Sequence, residues 1–102
     1  MDSLRISFRN LDPSPSAEEK VRRRAADLMK TDDRITSCRV VMEFGRHGHD
    51  PGNLFHVHLD VVVPGGEILV HEAGEDLHAA IRETFDVARR RLQEHVRRHD
   101  GR

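Results

Sequence analysis

The sequence predicts an α+β fold, a two-layer sandwich in which a four-stranded sheet carries both helices on one face. The expected order is β-α-β-β-β-α, because three segments alternate apolar and polar residues, a fourth is a short apolar run after a turn, and two longer segments repeat apolar residues every three or four positions. Short connections between the last three strands favour antiparallel hairpins, and one-sided alternation places both helices on the same sheet face. At 102 residues the chain is expected to form a single domain, residues 1–102.

The first strand and the first helix are separated by a loop that contains two prolines. Apolar residues alternate with polar ones from Leu4 to Phe8, which is typical of a strand with one buried face. The loop has the sequence NLDPSPS, and either Ser14, followed by proline, or Ser16, at capping-box spacing from a glutamate, can begin the helix. The apolar stripe of this helix consists of Ala17, Val21, Ala25, Leu28 and Met29.

Three more strands are predicted, at residues 35–45, 54–63 and 68–70. Residues 45–53, with the sequence GRHGHDPGN, form a polar loop, and Pro64-Gly65-Gly66 forms a tight turn. Residues 71–75 then lead into the last helix. The sheet face opposite the helices is expected to be polar and exposed, with Arg39, Glu43, His56, His58, Asp60 and, as a further candidate, His71.

The last predicted helix, residues 76–99, is the longest element. Its apolar residues recur along one stripe, and the carboxylate of Asp76 is expected to cap the amides of the first turn. Five arginines between Arg89 and His99 stand against one acid, Glu94, so this end of the helix is basic. Such a surface can neutralise phosphates, which arginine binds through two hydrogen bonds. The simpler interpretation of the same residues is a solvated helix face.

The composition of the chain limits which classes of function are possible and in which cellular compartment the protein is expected. Lys plus Arg number 17 and Asp plus Glu number 18, so any contact with nucleic acid must be local rather than due to net charge. The single cysteine, Cys38, excludes an internal disulfide and fits a reducing compartment. Neither an export signal nor a membrane span is recognisable. We therefore expect a cytoplasmic protein without a membrane partner.

The histidines raise the alternative of a metal site. The weak candidates are His47, His49, His56, His58 and His71. Neither a cysteine pair nor HExxH spacing accompanies them, so we predict no metal and no cofactor and favour exposed polar positions, with RNA stacking or phosphate contact by the histidines as the other alternative. Catalysis is disfavoured as well, because Asp60 and its neighbouring histidines lack a nucleophile or a phosphate-binding loop. We expect neither an enzyme nor a small-molecule substrate.

Four motifs in order carry a resemblance to a known family. They are Arg9-Asn10-Leu11, Asp33-Arg34-Ile35, Pro64-Gly65-Gly66-Glu67 and Glu75-Asp76-Leu77-His78-Ala79-Ala80-Ile81. Over almost its whole length the chain resembles the bacterial ribosome hibernation promoting factor and RaiA family, also described as sigma-54 modulation proteins. Because no dimerisation domain or acidic tail follows, it resembles the short form.

This resemblance implies a ribosome-associated, non-enzymatic protein that responds to stress or stationary phase. Its partner would be 16S rRNA of the small subunit, in the channel for mRNA and tRNA, and the result would be translation inhibition or hibernation. Arg90 and His95 match basic positions of the family, whereas Val87, Glu94 and Val96 replace others. The residues expected to contact rRNA are Arg22, Arg23, Arg24, Lys30, Arg82, Arg89, Arg90, Arg91, His95, Arg97 and Arg98.

A second interpretation keeps the same fold and changes the partner. The chain would then be a non-enzymatic module that binds a protein, or a metal through its histidines. Salt dependence separates the two, because RNA binding weakens steeply with added salt. The sequence leaves self-association open.

Overall fold

The computed structural model describes residues 3–46 and 52–100, with side chains to residue 98. The elements are β1 (Leu4–Arg9), α1 (Pro15–Thr31), β2 (Ser37–Gly45), β3 (Leu54–Val63), β4 (Gly66–Gly74) and α2 (Leu77–Asp100). The predicted order and the α+β class are confirmed. Most of the predicted polar loop, including His47 and His49, lies outside the described residues.

The four strands form one sheet in the order β1-β2-β3-β4. β1 runs parallel to β2, because α1 is the crossover between them, and the β2–β3 and β3–β4 pairs are antiparallel as predicted. Val63 pairs with Gly66, so Pro64 and Gly65 form the turn, and Gly65 takes the positive φ of 86° that a side chain would disfavour.

β4 is much longer than the predicted segment 68–70, and this part of the prediction is wrong. Its pairing with β3 continues as far as Phe55 opposite Gly74, so His71 is a strand residue that lies opposite His58. Residues 71–74 carry no large apolar side chain, and the ladder to β3 holds them in extended form where local periodicity does not predict it. β2 also begins two residues later than predicted, at Ser37.

Both helices pack on the same face of the sheet, as predicted. α2 lies against β3 and β4, and α1 lies beside α2 and against β1. Burying a large aliphatic side chain between these layers contributes about 1.5–3 kcal/mol to folding. The largest buried aliphatic side chains include Val21, Leu28, Met42, Leu59, Ile81 and Leu92.

Short-range hydrogen bonds fix where the helices begin. Ser14 Oγ accepts from the amide of Ala17 at 3.2 Å and Pro15 occupies the first helical position, which decides between the two predicted starts. The predicted cap of α2 is confirmed, because Asp76 Oδ1 accepts from the amides of His78 and Ala79 at 3.0 and 3.4 Å.

Candidate nucleic-acid interface

The exposed surface of α2 divides its arginines into two groups. An α-helix turns by about 100° per residue, so Arg89 and Arg91 point to opposite flanks, whereas residues seven apart lie nearly in line. Four arginines follow two adjacent rows on the solvent side, and we call them the arginine ridge. The arginine ridge consists of Arg82, Arg89, Arg90 and Arg97, all of which are exposed.

The arginine ridge has no fixed counterions within the part of the chain that the structure describes. None of its four guanidinium groups forms an ion pair with the described Asp and Glu residues. Their positive charge is therefore available to an external anion. Arg89 also borders a cleft between the helices that Arg24 lines from α1, but Asp27 and Asp86 line the same cleft, so the unbalanced positive charge ends at Arg89.

The other two arginines of α2 face the edge of the sheet and are already bonded. Arg91 Nη1 donates to the main-chain oxygen of Leu69 on β4 at 2.7 Å, and Arg98 lies 3.6 Å from Glu94. His95 Nε2 is 3.4 Å from the main-chain oxygen of Pro64. The tertiary structure therefore separates Arg91, Arg98 and His95 from the arginine ridge.

The predicted cations of α1 are largely paired with acids. Arg22 lies 2.8 Å from Glu18 and Arg23 lies 3.4 Å from Glu19, each one turn earlier. Arg24 reaches across to Asp86 of α2 at 3.8 Å and so links the two helices. These exposed pairs are weak, worth about 0–1 kcal/mol, and an incoming phosphate can compete for the guanidinium groups.

Lys30, in the last turn of α1, is exposed and pairs with no acid in the described ranges. A groove of about 530 Å³ between the starts of the helices places Lys20, Arg23 and Arg24 against Glu19 and Asp27. Because the acids nearly balance the cations, this groove is less positive than the arginine ridge.

The opposite sheet face carries the histidines, and one of them contradicts the prediction of exposure. His56 is 0% exposed. Its Nε2 lies 3.1 Å from the main-chain oxygen of Gly45, which can only accept, so Nε2 carries a proton. In the neutral ring Nδ1 then accepts from His71 Nε2 at 2.9 Å. His56 is buried because β3 is an inner strand of the sheet, where His56 lies between its register partners Glu43 and Ala73.

The remaining polar groups of this face contact one another across the strands. His58 stacks on His71 with ring centroids 4.2 Å apart, and His58 Nε2 lies 3.4 Å from Glu43. Arg39 lies 3.7 Å from Asp60. No three His, Cys, Asp or Glu side chains in the described ranges are arranged to hold a metal ion, and the candidates His47 and His49 fall outside those ranges.

Asp32, Glu67 and Cys38, all in the described part of the chain, have shifted pKa values. The Asp32 pKa is lowered, chiefly because its side chain accepts hydrogen bonds from Arg34. Hydrogen bonding and repulsion from Asp60 raise the pKa of Glu67. Burial raises the pKa of Cys38 to about 11, so this thiol is a core group, as predicted.

Sequence reasoning missed two features of the surface. It did not place Arg5 beside Arg39, which are partners in the parallel pairing of β1 with β2. It also treated Arg91 as equivalent to Arg90, although only Arg91 bonds the edge of β4. Within residues 3–46 and 52–100, neither helix has the length and apolar character that a membrane crossing requires.

Comparison with known proteins places this arrangement among ribosomal factors. A family model described as sigma 54 modulation protein / S30EA ribosomal protein matches residues 4–100. A ribosomal subunit interface protein from Coxiella burnetii has a similar fold, with a TM-score of 0.76 and 14% identity over 90% of this chain and 94% of that chain. The Protein Y N-terminal domain from Thermus thermophilus has a TM-score of 0.68 and 22% identity over 88% and 93%. A search of curated proteins found no match.

Proposed function

The chain belongs to the sigma-54 modulation protein / S30EA ribosomal protein family of ribosome-associated factors, and from this premise we propose that it binds 16S rRNA of the small subunit. Binding in the channel for mRNA and tRNA would exclude both and inhibit translation or promote hibernation. The family is not known for an enzymatic activity. We assign this role to the chain as one domain, residues 1–102, acting in the bacterial cytoplasm under stress or in stationary phase.

The observation that carries the proposal is the arginine ridge. Its four guanidinium groups are exposed, lie on one continuous helix surface and pair with none of the described acids. Each can bind a phosphate through two parallel hydrogen bonds and displace condensed counterions. Because the net charge of the chain is −1, long-range attraction contributes little, and binding depends on this local surface.

The name of one structural relative supports a site between the ribosomal subunits. One is described as a ribosomal subunit interface protein and the other as Protein Y. Docking of a helix surface onto phosphates also requires that the guanidinium groups of α2 be held at fixed positions. This helix is anchored along its length by buried residues such as Ile81 and Leu92, so the arginine ridge is presented at fixed spacing.

The test is co-sedimentation of the purified protein with small subunits across a range of salt concentrations. Arg89→Glu with Arg90→Glu should lower affinity by at least about tenfold at 150 mM salt, and should reduce the slope of log affinity against log salt by about 2. Circular dichroism should show an unchanged fold, because both side chains are exposed and outside the core.

The matched control reverses the same number of charges away from the helices. Arg9 and Arg46 are exposed near the ends of β1 and β2, and the double variant R9E/R46E should keep wild-type binding. Equal losses in the two double variants, or salt-independent binding of the wild type, would contradict docking through the arginine ridge. The second result would instead favour an apolar protein contact.

A further inference from the structure

The sheet face away from the helices contains two adjoining depressions that share Arg39 and Asp60. One, of about 340 Å³, extends over β3 and β4 toward His71 and Leu69. The other, of about 500 Å³, lies over β1 and β2 beside Arg5. The sheet separates both from the arginine ridge, so a ligand here would not compete with a ligand on α2.

Two cations lie side by side at the β1–β2 end of this surface. Arg5 and Arg39 are register partners on parallel strands, and both are exposed. Like charges directly opposite one another are unfavourable in a sheet. The one described ion pair here joins Arg39 to Asp60 at 3.7 Å, which leaves Arg5 without a described acid. A phosphate held between the two guanidinium groups would remove this repulsion and accept hydrogen bonds from both.

The β3–β4 end of the surface suits a flat ring. His58 and His71 are stacked at 4.2 Å with 13° between their planes. The hydrogen bond from His71 Nε2 to buried His56 fixes the orientation of the His71 ring before any ligand arrives. Leu69 is 58% exposed, which makes it the one large apolar side chain exposed in the described part of the chain. Aromatic ligands stack on such ring and aliphatic surfaces.

Asp60 lies between the β1–β2 end, which suits a phosphate, and the β3–β4 end, which suits a flat ring. One register row crosses the sheet from Arg5 through Arg39 and Asp60 to Leu69. The Asp60 side chain lines both depressions and is 18% exposed, and because its Oδ1 is buried, a ribose hydroxyl would meet Oδ2, which lies 3.7 Å from Arg39. Neighbouring strands are about 4.8 Å apart, so Arg39 on β2 and Leu69 on β4 stand about 10 Å apart along this row.

We propose that this face is a nucleotide-binding site, in which Arg5 and Arg39 hold the phosphate, Asp60 accepts from a ribose hydroxyl and the base lies against His71 and Leu69. This function goes beyond rRNA docking by the arginine ridge and uses none of its residues. The carboxylates of Glu43, Asp60 and Glu67 oppose an anion on the same face, so the two adjacent arginines are both required to hold the phosphate.

Isothermal titration calorimetry with adenosine monophosphate, adenosine and ribose 5-phosphate tests whether phosphate and base bind at separate ends of the site. Adenosine monophosphate should bind at least about tenfold more tightly than adenosine or ribose 5-phosphate, because only it spans both ends. Arg5→Ala with Arg39→Ala should lower affinity for adenosine monophosphate at least about tenfold. Leu69→Ala with His71→Ala should also lower affinity for adenosine monophosphate at least about tenfold, but should leave the affinity for ribose 5-phosphate unchanged. The R89E/R90E variant should bind the nucleotide as the wild type does.

A second pair of measurements separates a free nucleotide from a nucleotide within an RNA strand. If the ligand is free, R5A/R39A keeps wild-type ribosome binding. If the ligand belongs to RNA, an adenosine hexanucleotide binds more tightly than the monophosphate, and R5A/R39A weakens both this binding and ribosome binding. The proposal is overturned by flat titrations with both the monophosphate and the hexanucleotide, or by equal affinities in the wild type and R5A/R39A, with folding of each variant verified by thermal melting.

Discussion

The two polar faces of this molecule contain the same kinds of residue and use them in opposite ways. On the helix face, guanidinium groups radiate into solvent, and their ion pairs are exposed, with side-chain exposure between 33% and 73%. On the outer sheet face the side chains contact each other across strands, and those of Glu43 and Asp60 are only 16% and 18% exposed. The charged side chains of the helix face can therefore act independently of one another, whereas those of the sheet face depend on contacts with their neighbours.

The difference follows from backbone geometry. Successive helix residues are turned by about 100°, so arginines that are adjacent in sequence point in different directions. Partner residues on neighbouring strands stand about 5 Å apart and point the same way, so their side chains must accommodate one another. Substitutions on the helix face should therefore change binding with little effect on folding, whereas substitution of the buried members of the sheet face, such as His56, should change stability.

The largest expected effect is at His56. Changing it to alanine removes a fully buried ring and its hydrogen bonds to Gly45 and His71, and should lower the free energy of unfolding by about 2–4 kcal/mol. Arg90→Ala, on the helix face, should change it by less than about 0.5 kcal/mol. Urea denaturation measures both. Equal stabilities of the two variants would remove the distinction between the faces.

Arg91 gives a smaller effect and tests where the helix face ends. Arg91→Ala loses the bond to the main-chain oxygen of Leu69 and should cost about 0.5–1.5 kcal/mol, with faster hydrogen exchange of β4 amides. Its neighbour Arg90 is the control, since Arg90→Ala should leave that exchange unchanged and weaken ribosome binding more. If Arg91→Ala were neutral for exchange and stability, Arg91 would belong with the arginine ridge.

The smallest effect concerns the pH dependence of the sheet face. The Glu67 pKa is raised in the folded state, so folding favours its protonated form. The resulting stabilisation is present at low pH and is lost as pH rises through the raised pKa. Glu67→Gln should therefore flatten this part of the stability profile and be slightly more stable than the wild type at neutral pH. A wild-type profile identical to that of E67Q would show that Asp60 does not act on Glu67.

Residues that interact within one helical turn were predictable from sequence. Asp76 caps α2 as predicted, and the Ser14-Pro15 start of α1 was one of the two predicted starts, because the partners of each cap lie two to three residues away. The longer strand β4 was not predictable, since residues 71–74 are extended by their pairing with β3 rather than by their own side chains. The predicted rRNA contacts stay predictions, and the structure sharpens them by separating Arg91, Arg98 and His95 from the arginine ridge.

Periodicity and capping in the sequence were sufficient to determine the elements, their order and the apolar stripes that join two helices to one sheet face, because these depend on local spacing and on burial of apolar surface. Only the tertiary structure decided which polar groups meet. Arg5 lies beside Arg39, His56 is buried under its neighbours and Arg91 bonds to β4 through pairings between residues that are far apart in sequence. A local turn sets register only between β3 and β4, whereas the register of β1 with β2 and the contacts of α2 with β4 depend on packing of the whole domain.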